Sequence, residues 1–438
     1  IKCEKVLNAL LIIDSLCENA VHLLSHHELN LVLRLKSLRW TIRHGTSSFA
    51  PVALMFYSAV LCGHLGGYKE ALKYGEIAES LAEEYPYTFA KTCLMSLLFV
   101  KHWSAPLHCC LKPALDAYQI GMESGSLHTA VNSCNIFCHY ALWTGKPLSL
   151  VNADFQAYVE QAIENKLEIF SRVMLPSWQL VQNLMGRNSD PSAMSGEVMV
   201  EAELRQSTSG GGHLHHLIDF SKMWLLFYFE EHELAWNVIE EGSDFDKVCA
   251  GQHIICRRAF CAALVAFALA HKTKKPKWKR RAIKVVKQMS SWCEVGNVNC
   301  VHMLHLLEAE SAALSGAKDR GQIREKFNRA ITTAGRHGFP QDKALANERA
   351  GLFFLSIGND YWAGHYLTEA HKGYLDWEAF SKASQLTIKY ADYIPAIESS
   401  KLEMVPGVAR RAVPFSYGAC PKGSKQCINL ISKMACAA

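Results

Sequence analysis

Apolar residues recur at spacings of three and four along almost the whole chain, the period of an amphipathic helix rather than the alternation of a strand. Residues Ala71, Leu72, Ile77, Ala78, Leu81 and Ala82 fall on one helical stripe, while Lys69, Lys73, Glu76, Glu79 and Glu83 fall mostly elsewhere. The breaks in this pattern are short: His44 to Ser48, Gly66 and Gly67, Tyr85 and Pro86, Gly145 to Pro147, Gly242 and Ser243, Gly316 to Asp319, His337 to Pro340, and Gly358 to Asp360. Short breaks between segments of this length imply about eighteen helices arranged as antiparallel hairpins. One longer interruption, 187–216, holds Asn188 to Pro191 and the Ser/Gly run Ser207 to Gly212, and reads as a flexible linker between two halves, 1–186 and 217–395. Beyond Pro395 the periodicity fades, and the tail 396–438 is expected to be irregular or disordered.

A weak internal repeat refines this picture. Gly66, Tyr68, Ala71 and Ala78 stand at the turn and second helix of a tetratricopeptide-like hairpin, and Gly351, Phe354, Gly358, Ala363 and Ala370 repeat the arrangement. Small residues belong where two helices cross closely, with a large residue filling the adjacent hole. The fold class expected is therefore all-α: an irregular tetratricopeptide-like α-solenoid of antiparallel helix hairpins.

Composition agrees with a packed interior, since half of the 438 residues are hydrophobic and a fifth are charged. The formal charge of +5 is small for this length and argues against a general polyanion binder. Sixteen cysteines without regular spacing in a long chain read as free thiols in a reducing, cytoplasmic setting. The longest wholly apolar run, Ala259 to Ala270, is short of the ~20 residues that cross a bilayer and reads as a buried helix. Residues 1–24 mix Lys2, Glu4, Lys5 and Asp14 among apolar positions, which suits neither an anchor nor a targeting segment, and the missing initiator Met reads as an internal fragment.

Candidate chemistry is sparse. The chain contains no phosphate-loop sequence and none of the protein-kinase motifs, so no catalytic residue and no cofactor site is assigned. His213, His215 and His216 follow a Ser/Gly stretch with no ligand partner nearby, and Cys134 with Cys138 shares a helix face as small hydrophobes do, so no metal site is assigned either. Lys272 to Arg281 carries seven basic residues around Pro276 and Trp278. Its Lys274, Lys275, Lys277, Arg280 and Arg281 form a candidate basic contact patch for nucleic acid or acidic lipid, against the plainer reading of a solvated helix connection.

The order of segments resembles the helical array of multidomain signalling proteins that join a serine/threonine kinase-like domain, a STAND-type AAA ATPase, this array, a GAF domain and often a histidine kinase. Arg43 to Ser48 with Tyr57 and Cys62 to Gly66 is similar to the opening hairpin of that array. His102 and Trp103, Ala117 to Gly125, Ser133 to Tyr140 and Gly145 to Leu148 resemble its middle, and Asp190, Pro191, Gly196 and Glu197 its linker. Leu307 to Glu310, Gly335 to Phe339, Ala344 to Ala350, Phe353 to Gly358, Ala370 and Tyr374 to Trp377 resemble its closing block. The resemblance implies a non-catalytic scaffold for protein partners that regulates an attached upstream ATPase, and transfers no catalytic residue. The alternatives are a freestanding degenerate adaptor without an enzyme and a basic-patch nucleic-acid binder.

Overall fold

The structure is a computed structural model that describes residues 4–22, 27–207, 212–315 and 319–394. The described residues form twenty-one α-helical segments and no strand. Three of these segments are only four to six residues long, so eighteen helices run for ten residues or more. The chain is an all-α solenoid of irregular, tetratricopeptide-like hairpins. The tail 396–438 lies outside the described residues.

Two layers build the array. Helices of the inner layer pack on the next inner helix as well as on their hairpin partner: Ala50–Val60 on Pro86–Phe99, and Pro86–Phe99 on Leu127–Trp143. Leu175–Leu184 then packs on His213–Tyr228, which leads through Ile254–Thr273 and Val301–Leu314 to Pro340–Ser356. The outer layer comprises the alternating partners, among them Tyr68–Ala82, His108–Glu123, Pro276–Glu294, Arg320–Arg336 and Asp360–Asp376. An outer helix buries one stripe, as Ile323, Phe327, Ala330 and Ala334 do. Inner helices are buried nearly all round, and Leu127–Trp143 has every residue from Cys138 to Trp143 out of solvent.

Ile254–Thr273 is long and apolar enough to cross a membrane by length and composition. It extends well beyond the apolar run inside it, and it lies in the middle of the array with Cys256, Arg257 and the stretch Phe260 to Phe267 buried. A core helix passes the same length test as a membrane span, and the burial of this one among other helices accounts for its composition.

The solenoid coils back on itself. Loops at one edge of the first turn meet the starts of inner helices in the second. Trp103 Nε1 donates to Gly251 O at 3.1 Å, and Gly63 approaches the backbone of Ala250 and Gly251 so closely that a Cβ there would sit 3.1 Å from Ala250. Asn299 accepts from Leu107 N at 3.0 Å and donates to His102 O and Ala105 O at 2.8 and 2.9 Å. Gln341 donates to Trp143 O at 2.5 Å, Leu148 N donates to Trp377 O at 3.2 Å, and Ser381 donates to Asn183 O at 2.8 Å. One hydrophobic core accordingly runs from Leu38 to Ile394 through both expected halves.

The expected flexible linker, 187–216, is tied down over much of its length. Asn183 Nδ2 donates to Pro191 O and Ala193 O, at 3.1 and 2.6 Å, and Gln179 Oε1 accepts from Val198 N and Met199 N. Met194 and Met199 are buried, and helices begin at Glu201 and His213. The turn residues that read as flexible are thus satisfied by two side-chain amides from the preceding helix. Residues 208–211 lie outside the described residues.

Candidate interaction surface

The repeat positions lie at close helix crossings. Ala71, Ala78, Ala363 and Ala370 are fully buried, and Phe354 is stacked on Tyr366 at 5.6 Å between ring centroids. Gly66 and Gly358 adopt positive φ, +64° and +70°, where they end their helices. A Cβ on Gly351 would sit 2.8 Å from Leu367 Cγ, so that crossing admits only glycine without rearrangement. Tyr68 packs on Trp103 at 4.2 Å, which ties the first hairpin to the edge contact at Gly251.

The basic segment resolves into two groups. Lys274, in the left-handed region at φ +59°, ends helix Ile254–Thr273, and Pro276 opens helix Pro276–Glu294 with the fixed φ that suits a first turn. Trp278, Ala282, Met289 and Trp292 form the buried stripe of this helix, with Trp278 packed edge-on against Trp236 at 4.9 Å. Arg281 lies over Trp236 at 4.6 Å and pairs with Glu240 at 2.7 Å, Lys277 lies over Trp278 at 4.3 Å, and Lys272 pairs with Glu233 at 2.7 Å. These three cations are held by Glu233, Trp236 and Glu240 on helix His232–Glu241 and by Trp278 on helix Pro276–Glu294. Lys274, Lys275 and Arg280 make no ion pair among the described residues, and neither do Lys279, Lys284 and Lys287. Lys284, four residues after Arg280, and Lys287, three further on, extend the free charge along the helix, a signal that was present in the sequence beyond the end of the basic run. Pro276, Lys279, Arg280, Ile283, Lys284 and Lys287 line one shallow, open furrow.

Charge on the molecule is correspondingly uneven. Segment 272–294 has nine basic residues against one acidic, and the outer helix Arg320–Arg336 has five against one. These two segments carry +12, so with +5 for the whole chain the remainder carries −7.

Buried ion pairs form a second group of polar residues, which hydrophobic periodicity does not disclose. Arg257 binds Asp342 with two hydrogen bonds, NH1 to Oδ2 at 2.6 Å and NH2 to Oδ1 at 3.1 Å, and His302 Nε2 lies 2.9 Å from Oδ2. All three side chains are 3% exposed or less. Burial alone would raise the Asp342 carboxyl, but the guanidinium and the imidazole outweigh it and hold it at about 2. Arg349 binds Glu310 in the same two-pronged way, and Lys382 Nζ donates to Glu348 Oε1 and Tyr228 O, both at 2.6 Å, while Tyr374 donates to Glu348 Oε2 at 2.6 Å. Paired this thoroughly and kept from solvent, these charges fasten helices of the array to one another.

The histidine triplet is dispersed: His215 Nε2 lies 3.0 Å from Arg205 O, His216 3.5 Å from Asp244, and His213 3.6 Å from Cys249 Sγ. No group of three His, Cys, Asp or Glu converges to hold a metal among the described residues. Eleven described cysteines, from Cys62 to Cys300, are free thiols, and burial pushes those such as Cys110, Cys134 and Cys261 up to about 12, which keeps them protonated and unreactive. Neither a family model nor any curated protein matches the chain.

Proposed function

We propose that this chain is a non-catalytic helical-repeat scaffold of a cytoplasmic signalling ATPase, which binds protein partners and thereby regulates the attached ATPase. The observation that carries the reading is the stacked two-layer array itself. Buried ion pairs such as Arg257 with Asp342 and Arg349 with Glu310 fasten its inner helices together, whereas the outer helix Pro276–Glu294 leaves a row of charge unpaired on the surface. A solenoid of this kind offers extended faces for partners. A partner that contacts one arrangement of the array more strongly than another shifts the population toward it, and an attached ATPase reads out that shift. The resemblance of residues 40–395 to the array of STAND-type signalling proteins supplies the enzyme class.

Two measurements test the proposal. The full-length open reading frame is expected to carry a phosphate loop in frame before Ile1; a reading frame without one would leave a freestanding adaptor. In equilibrium dialysis the 438-residue chain is expected to bind no ATP, and stoichiometric, magnesium-dependent binding would overturn the non-catalytic reading.

A further inference from the structure

We infer that the outward face of helix Pro276–Glu294 is the docking face for an acidic amphipathic helix of a partner protein. The inference rests on the scaffold reading and names the chemistry of the partner. Lys279, Arg280, Lys284 and Lys287 are all exposed, and none has a carboxylate within ion-pair distance among the described residues. Arg280 and Lys284 are four residues apart and Lys284 and Lys287 three, so like charges face each other on successive turns and oppose the helix they sit on. Some exposed charges elsewhere are paired at this spacing, as in Lys112 with Asp116 and Lys372 with Glu369, and others, such as Lys69 with Lys73, are not; on helix Pro276–Glu294 four unpaired cations fall together along one furrow.

The arrangement selects the partner. Ile283, half-buried, is the apolar centre of the furrow, with Lys279 and Lys287 four residues to either side and Arg280 three before it. Each four-residue step rises about 6 Å along the helix, the same step that separates i and i+4 carboxylates on another α-helix. A helix with one apolar residue over Ile283 and Asp or Glu on the flanking turns therefore meets every cation at once. Trp278 faces inward against Trp236, so the stripe has no exposed aromatic ring on which an unpaired base could stack. Membrane anchors of the interfacial type bury Trp, Phe or Leu side chains, whereas the apolar side chains of this furrow are Pro276 and Ile283.

The test uses the full chain and a fluorescent synthetic helix of about five turns with a central leucine seam flanked by glutamates at i±3 and i±4. Anisotropy is expected to show saturable binding that weakens as salt is raised. A scrambled peptide of identical composition, with its glutamates spread around the helix, is expected to bind about tenfold or more weakly. The combined change Lys279→Gln, Arg280→Gln, Lys284→Gln and Lys287→Gln should abolish binding, while Lys326→Gln with Arg329→Gln on the neighbouring basic helix should leave it intact. Ile283→Gln gives an independent variant with the charges retained, and it too should weaken binding. Equal binding of the scrambled peptide, absence of binding by the designed one, or tighter stripe-dependent binding of duplex DNA or phosphatidylserine vesicles would each overturn the inference. None of those outcomes bears on the reading frame or on ATP dialysis, so the scaffold reading stands or falls separately.

Discussion

Asp342 is a carboxylate buried away from solvent, and it is tolerable there because Arg257 and His302 supply three hydrogen bonds and Gln341 Nε2 a longer fourth at 3.4 Å. Removing one partner of such a pair strands the other, so Asp342→Ala is expected to cost about 3–5 kcal/mol in urea unfolding. The pair Arg257→Met with Asp342→Leu leaves no unpaired charge, only the His302 ring short of its partner, and should recover part of that loss; a double variant as unstable as the single would show that the pair contributes more than its own neutralisation. The histidines give the molecule a pH dependence. Burial holds His102 and His139 down at about 4 and His253 well below its ordinary value. Between ~6.5, the unfolded value, and 4 the unfolded chain takes up protons at these rings that the folded chain refuses. Stability is therefore full above about pH 6.5 and falls as pH drops toward 4, by ~1.4 kcal/mol per pH unit for each such ring. Asp342 adds a later loss: its depressed carboxyl stabilises the fold above ~4 and that contribution disappears as pH falls toward 2. A urea midpoint that stays flat from pH 7 to 5 would contradict the histidine account.

Hairpins carry the next level of specification. Ala71 and Ala363 are fully buried where paired helices cross, and adding three carbons at either overpacks a closed contact. Ala71→Leu and Ala363→Leu are each expected to cost about 1–3 kcal/mol, whereas Lys73→Ala, at an exposed position of the same helix as Ala71, should change stability by no more than ~0.5 kcal/mol, as read from thermal midpoints. Elements of this kind were legible in the sequence because a helix writes its buried stripe at a fixed period, and Gly66 and Gly358 punctuate it. The same logic misplaces what side chains do across long separations. The basic run around Trp278 looked uniform, yet Arg281 and Lys277 turn onto tryptophans while the free stripe continues to Lys287. Turn residues 187–200 looked flexible because nothing in their own composition reveals that Gln179 and Asn183 will satisfy them. Arg257 gave no sign of pairing with Asp342, since 85 residues separate two positions that are neighbours only once the inner layer has formed.

At the scale of the molecule the edge contacts decide how the array behaves. Asn299 uses one amide to bind three backbone groups of the loop 102–107, nearly two hundred residues away in sequence. Asn299→Ala leaves those three groups without partners and is expected to cost about 2–4 kcal/mol, near the upper range for lost buried hydrogen bonds. In an open solenoid each repeat meets only its neighbours and damage stays local. Here Asn299→Ala should raise hydrogen exchange in the loop 100–108 and in helix Val301–Leu314 together, and protection that changes near Asn299 alone would argue that the two turns are independent.

Coiling back also changes how the chain answers force. A helical-repeat array whose turns do not touch extends like a spring, since its hairpins share small rotations and nothing joins one coil to the next. In this molecule Trp103 to Gly251, Asn299 to loop 102–107, Leu148 to Trp377 and Ser381 to Asn183 bridge adjacent coils in parallel. Tension between the ends must break these bridges before any coil can lengthen, which makes the array a rigid strut up to a threshold load and a compliant one beyond it.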